Sequence, residues 1–301
     1  MIDSIKVTNP LGESITMELG FPEKSGFLIR RIEGLGPSKA TIGTTELSYV
    51  DGSVFNSSRV NSRNIVLTLG FLENPDIEAT RLKSYQFFPI KKRIKMEVKT
   101  TTREAYTYGY IESNEPDIFS KEERAVISIL CPEAYFYENN DLVTEFSTVV
   151  PVFEFPFSNE STTLKLLEFG DIAIQTSKNI YYTGDSPVGV VFNIHAIGSV
   201  NDLSILKVST GETIAFSSAS IIAITGADIS AGDDIILSTV VGDKFARLIR
   251  SGITYNILNS IGQYPDWFQI ERGDNLFTYS ADTGVDNLQF TIVSKIAYEG
   301  V

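Results

Sequence analysis

Apolar residues recur at every second position along much of this chain. "NIVLTLGF" places Ile65, Leu67, Leu69 and Phe71 on one face, with smaller or polar residues between them. "RIKMEVK" sets Ile94, Met96 and Val98 against Arg93, Lys95, Glu97 and Lys99, and "AYTYGYI" and "RAVISILC" keep the same period. A period of two marks a strand with one buried face, because successive side chains point to opposite sides of a sheet. "SIKVT", "SITMEL" and "GFLIRRI" are shorter β-rich runs divided by Asn9-Pro10, Gly20 and Pro22, residues that favour turns.

One segment leaves that period. In "NPDIEATRLKSYQFFP", Asn74 suits an N-cap, Pro75 the first helical position, and Asp76 and Glu78 the positive end of the helix dipole. Ala79, Leu82 and Tyr85 share a face, with Phe88 near it, and Pro89 stops the run. This predicts a helix of about four turns packed across the sheet. Periodicity then fades over 132–150, "PEAYFYENNDLVTEFSTVV". Beyond it the reading is all β: "VFEFPF", "TLKLLEF", "GVVFNIHAI", "LSILKV", "DDIILSTV", "KFARLI", "WFQIE", "NLFTY" and "LQFTIVSKIAY" are short strands joined by Gly, Asp, Asn and Ser turns. So many short strands predict a sandwich or jelly roll. The predicted organisation is a mainly β protein: a first domain over 1–138 with one helix, a linker over 139–150, and a β-sandwich over 151–301.

Charge supports two modules. Residues 1–140 hold 17 basic against 19 acidic side chains, a net of −2; residues 141–301 hold 8 against 19, a net of −11. Such an acidic chain is poorly suited to nucleic acid, which needs phosphate neutralised. The opening "MIDSIKVTNPLGES" lacks a basic stretch followed by an apolar run, so no secretory signal is expected. No stretch reaches the roughly 18 consecutive apolar residues of a membrane helix. The one cysteine, Cys131, leaves no internal disulfide to form.

Residues 34–55, "GLGPSKATIGTTELSYVDGSVF", raise the question of a phosphate-binding loop. That chemistry needs G-x-x-x-x-G-K-[ST] at a strand-to-helix junction, where backbone N–H groups cradle the phosphates. Here Ala40 follows Lys39, no glycine precedes it, and a strand-like run follows. Nucleotide binding is excluded at this loop. Other chemistry is equally thin. His195 and Cys131 stand alone in different halves, which rules out a His/Cys zinc cluster and leaves no Ser-His-Asp set beside a nucleophile elbow. The 38 acidic residues offer no distinguished pair. Neither catalysis nor a cofactor or metal is expected. Trp267 is either a sugar-stacking platform or sandwich packing. Tyr106, Tyr108 and Tyr110 share one sheet face, as an amphipathic surface or as interface anchors.

The order of these features resembles a known family, the distal tail proteins of long-tailed, non-contractile bacteriophages. The resemblance runs through "EGLGPSKATIGTTELSYVDGSVFNSSRVNSRNIVLTLGF", the helix, "RIKMEVK", "AYTYGYIES" and "RAVISILCPEAYFY". It continues through "ISAGDDIILST" to the terminal "WFQIERGDNLFTYSADTGVDNLQFTIVSKIAYEGV". It implies a β-sandwich or split-barrel-like N-terminal domain that forms a homo-hexameric ring, and a galectin-like C-terminal sandwich pointing outward. The implied role is a non-enzymatic hub at the distal end of the tail tube in the virion. Tail-tube, tape-measure and tail-tip proteins are the implied neighbours, with a receptor-binding protein on the second domain in some phages. DNA would pass through the ring without sequence-specific contact.

In that reading residues 34–71 form an arm over the neighbouring subunit. Lys39, Tyr49, Val50, Val54 and Phe55 are its expected contacts, with Arg59 and Arg63 as rim charges. The alternative is a carbohydrate-binding module that meets host cell-wall glycans through Trp267. A glycan hydrolase is a third, weaker reading.

Overall fold

In chain order the first strands are β1 (Ile2–Thr8), β2 (Ser14–Glu18), β3 (Phe27–Glu33), β4 (Ala40–Glu46), β5 (Ser53–Val60) and β6 (Arg63–Phe71). Helix α1 (Ile77–Phe87) follows, then β7 (Arg93–Thr100), β8 (Glu104–Asp117), β9 (Arg124–Cys131) and β10 (Phe136–Glu138). The computed structural model describes residues 1–49, 51–119, 122–150, 171–262 and 265–301. The predicted strands "VFEFPF" and "TLKLLEF" lie outside the described residues, as does Val50. The chain divides into two units, one of residues 1–139 with 297–301 and the other of 140–296.

The first unit is a curled antiparallel sheet in the order β2-β1-β7-β8-β9-β6-β3. Its inward face is the predicted alternation made solid: Ile5, Val7, Met17, Ile65, Leu67, Leu69, Met96, Val98, Ile127 and Ile129 are fully buried. The edge strands β2 and β3 touch each other and the short turn of helix Pro22–Lys24 that joins them. A bulge between Ile111 and Ser113 bends the long strand β8 as it crosses from β7 to β9.

Helix α1 forms, with corrections. Its N-cap is Asp76, whose Oδ1 accepts the Ala79 N–H at 2.7 Å, so Pro75 precedes the helix. The Asn74 amide instead donates to the Glu23 carbonyl at 3.1 Å. Eleven residues make about three turns, not four. The buried positions are Thr80, Ser84 and Phe87, while Leu82 and Tyr85 face solvent. Small hydroxyl residues let the helix sit close: Thr80 Oγ1 donates to Leu72 O at 2.8 Å, and a Cβ on Gly26 would meet Thr80 Oγ1 at 3.0 Å.

The second unit runs β11 (Leu142–Glu145), β12 (Ser147–Val150), β13 (Asp171–Ile174), β14 (Ser177–Tyr182), β15 (Val188–Ala196), β16 (Ser204–Lys207) and β17 (Glu212–Ala215). After helix α2 (Ser218–Thr225) come β18 (Asp234–Ser238), β19 (Phe245–Arg250), β20 (Ile253–Asn256), β21 (Gln269–Ile270), β22 (Gly273–Ser280) and β23 (Leu288–Ser294). The last strand, β24 (Ala297–Tyr298), belongs to the first unit, where it pairs with β10. Two main sheets, β11-β23-β15-β18-β19-β20 and β14-β22-β16-β17, enclose one apolar core and form a β-sandwich. Phe192, Phe268 and Phe277 meet edge to face with centroids 5.6 to 5.7 Å apart, and Tyr279 stacks on Phe290.

The second half is not all β. Helix α2 lies between the predicted strands "LSILKV" and "DDIILSTV", in a stretch where Ile221, Ile222 and Ile224 show no amphipathic spacing. Its caps carry the local signal: Ser217 Oγ accepts the Ser220 N–H, and Gly226 closes the helix at φ 84°.

Candidate protein interface

Strands β4 and β5 pair only with each other among the described residues. All of their residues are exposed except the half-buried Gly43. They form a hairpin that stands off the sheet of the first unit. Of the predicted contact residues, Lys39, Tyr49, Val54, Phe55 and Arg59 lie on or beside it. Lys39 is exposed at its base, where its carbonyl accepts the Asn61 N–H at 3.0 Å, and Arg59 is exposed on β5.

A bulge decides which side chains share a face. The register runs Ala40↔Val60, Ile42↔Ser58 and Gly43↔Ser57, then shifts to Thr44↔Phe55 and Thr45↔Val54. The extra residue, Asn56, brings Phe55 onto the face of Ala40, Ile42 and Val60. The other face carries Thr41, Thr45, Ser57 and Arg59, with Asn56 donating to Thr45 Oγ1 and Val54 opposite Thr45. The hairpin is thus amphipathic while open to solvent on both sides. Ile42 is 55% exposed, Phe55 62% and Tyr49, at the tip, fully exposed. Tyr49 also holds a positive φ of 70°, which a bulky residue rarely adopts.

Arg63 is a correction. Expected as a rim charge, it is 2% exposed at the root of the hairpin. Its guanidinium donates to five backbone carbonyl contacts: Nε and Nη2 to Ala134 O at 3.1 and 2.7 Å, Nη1 to Gly34 O and Gly36 O, and Nη2 to Glu299 O. It also lies 4.4 Å from the Phe136 ring centroid. Burial lowers its pKa from the ordinary value, but five carbonyl contacts satisfy the charge without a carboxylate. Gly34 is required here, because a Cβ would fall 2.1 Å from Asn64 O and its φ is +83°. Arg103 anchors the same C-terminal segment, donating to Gly300 O at 2.9 Å and covering the Tyr298 ring.

The tyrosines share the outer face of β8, as their spacing predicts. Arg93 lies 3.8 Å from the Tyr108 centroid and Lys95 4.3 Å from that of Tyr106. Beside them burial works to raise the Glu97 carboxyl, yet hydrogen bonds and charge from Lys95 and Lys6 outweigh it and hold the group below the usual carboxylate range. Tyr110 is 44% exposed. Trp267 sits half-buried against the core of the second unit, with Lys244 Nζ 5.1 Å from its ring. Cys131 is buried, and that burial pushes its thiol up to about 11, an unreactive state. Among the described residues no cluster of three His, Cys, Asp or Glu is placed to hold a metal ion, and no helix is long and apolar enough to cross a membrane.

No protein-family model matches the sequence, and no curated protein matches it. Among solved structures, the chain is similar to the Dit protein of phage SPP1, described as a paradigm of the hub adsorption apparatus in phages that infect Gram-positive hosts. The TM-score is 0.61 at 10% identity, over 97% of this chain and 98% of that one. At that identity the likeness is one of fold. Two structures of the phage P2 baseplate in its activated conformation, with calcium and with strontium, align at 12% identity with TM-scores of 0.43 and 0.44.

Proposed function

We propose that this protein is a structural component of a phage tail tip, a hub whose first unit closes into a hexameric ring at the distal end of the tail tube. The observation that carries the reading is the likeness to SPP1 Dit, which extends through both units and nearly the whole of each chain. The hairpin β4–β5 supplies a physical reason for assembly. A two-stranded hairpin is marginal in water by itself, and this one exposes Ile42, Phe55 and Val60 on one face. Laid over a neighbour, that face would be covered and the unpaired strand edges supplied with partners.

Such a contact joins two different surfaces, the arm of one subunit and the body of the next. Contacts of that kind close into a ring when the rotation per subunit is right. Tail-tube, tape-measure and tail-tip proteins would then be its neighbours, the second unit would offer the place for a receptor-binding protein, and no catalytic step is assigned to the chain. The test is the mass of the purified protein by light scattering. A subunit of 33.3 kDa closing a six-fold ring gives about 200 kDa. Replacing Tyr49 and Phe55 by alanine is expected to reduce this to monomer mass with the fold unchanged. A wild-type protein that stays monomeric, alone and with its tube and tip partners, would overturn the ring.

A further inference from the structure

The outer face of the larger sheet in the second unit holds a groove of about 500 Å³. Strand pairing lays its residues out in two rows. One row runs Glu145, Thr291, Asn193 and Ile236 across β11, β23, β15 and β18; the next runs Gln289, His195, Asp234 and Ile249 from β23 to β19. Every second residue of these strands points outward, so the polar side chains stand side by side in the groove.

Two features bear on what this groove could hold. First, Glu145, Asn193, Gln289 and Thr291 all line the groove, and no side-chain hydrogen bond ties any of them to another described residue. Second, His195 Nδ1 and Asp234 Oδ1 are 2.6 Å apart. A carboxylate only accepts, so Nδ1 donates to it and Nε2 is the ring nitrogen left to face a ligand. The groove therefore presents amide donors and amide, hydroxyl and carboxylate acceptors, alongside the half-buried Ile236 and Ile249. Free hydrogen-bonding groups of both kinds beside an apolar strip match one class of ligand well: a ring with several hydroxyls and an apolar C–H face.

We infer that this groove is a binding site for a neutral saccharide. Hydroxyl pairs meet Asp234, Asn193 and Gln289, and the C–H face rests on Ile236 and Ile249. Charge argues against an anionic polymer, since Glu145 and Asp234 face the groove and no lysine or arginine is among its described lining residues. Trp267 belongs to a different place. It precedes β21, which pairs with the start of β15, whereas His195 lies at the other end of that strand, roughly 20 Å away at the rise of a strand.

His195 is the sole histidine of the chain, so its imidazole proton signals report on the groove alone. The experiment titrates the full-length protein with maltotriose, lactose and N-acetylchitotriose, each to about 20 mM, because a groove without an aromatic platform is expected to bind near the millimolar range. A glycerol phosphate oligomer and trilysine serve as charged probes. Expected are a saturable shift of the His195 signals with at least one saccharide and none with the charged probes. Binding should fall about tenfold in the Asn193→Ala/Gln289→Ala variant at unchanged melting temperature, and Trp267→Ala should leave it intact. The inference is overturned if no saccharide moves the signals, if the double variant binds as well as wild type, or if only trilysine binds, which would mark a surface for a basic protein segment.

Discussion

Arg63 shows how far a residue's chemical type underdetermines its role. An arginine at the mouth of an excursion reads as a solvent charge, yet here it is the node that ties 34–36, residue 134 and the C-terminal segment together. Its partners come from 27 to 236 residues away in sequence, so no local pattern announces them. Replacing it with methionine keeps the bulk but leaves three segments of carbonyls without a donor, and should cost about 3 kcal/mol in chemical denaturation of the first unit. Lysine, with a compact ammonium, should recover only part of that loss. A second residue-scale prediction concerns acid. Burial acts to raise the Asp233 carboxyl, but Arg250 and Ser230 outweigh it and lower the pKa below its ordinary 3.8. A lowered folded value contributes stability that is present above the unfolded pKa and lost as pH falls through the folded one. Melting temperature followed from pH 5 to 2 should therefore fall less steeply in Asp233→Asn than in wild type, from a lower starting point.

Elements were legible to the degree that packing was one-sided. The alternation in "NIVLTLGF" and "RIKMEVK" specifies which residues are buried because one face of each strand meets the core. Helix α1 is legible from its breakers, but its buried face is not, since Thr80 and Ser84 win by closeness of approach and not by apolarity. Helix α2 was hidden, being short and lacking a polar face. The hairpin β4–β5 is legible from its own residues only as strand-like, and as an arm only through the family resemblance, because nothing in a period-two pattern says whether a face will find a partner in its own chain. Its bulge makes a sharp prediction. Ile42→Ser with Phe55→Ser should abolish assembly in light scattering and leave the melting of the isolated subunit nearly unchanged, whereas Val54→Ser, on the opposite face, should have a smaller effect. Loss of folding in the double variant would show that the face is needed within the subunit instead.

At the scale of the whole molecule, charge sets the two halves apart, and the sequence carries no clustered chemistry. The groove around His195 is not legible in the sequence. Its members come from β11, β15, β18 and β23 and meet only through strand pairing. The return of β24 to the first unit was equally silent, since two residues of strand carry no long-range signature. It nevertheless governs how the molecule is wired. The second unit is an insertion between strands β10 and β24, whose residues Tyr137 and Ala297 are paired neighbours. Excising 140–296 and joining the ends with a short glycine-serine linker should leave a first unit that folds and keeps the assembly state of the full chain, as sedimentation would report.

That wiring also bears on mechanical load. A pull on the second unit reaches the first along two adjacent backbone strands and is shared between them, and Arg63 and Arg103 grip the carbonyls just beyond the second of these. A protease that nicks one connection would leave the other intact, so a severed tether need not release the second unit from the first.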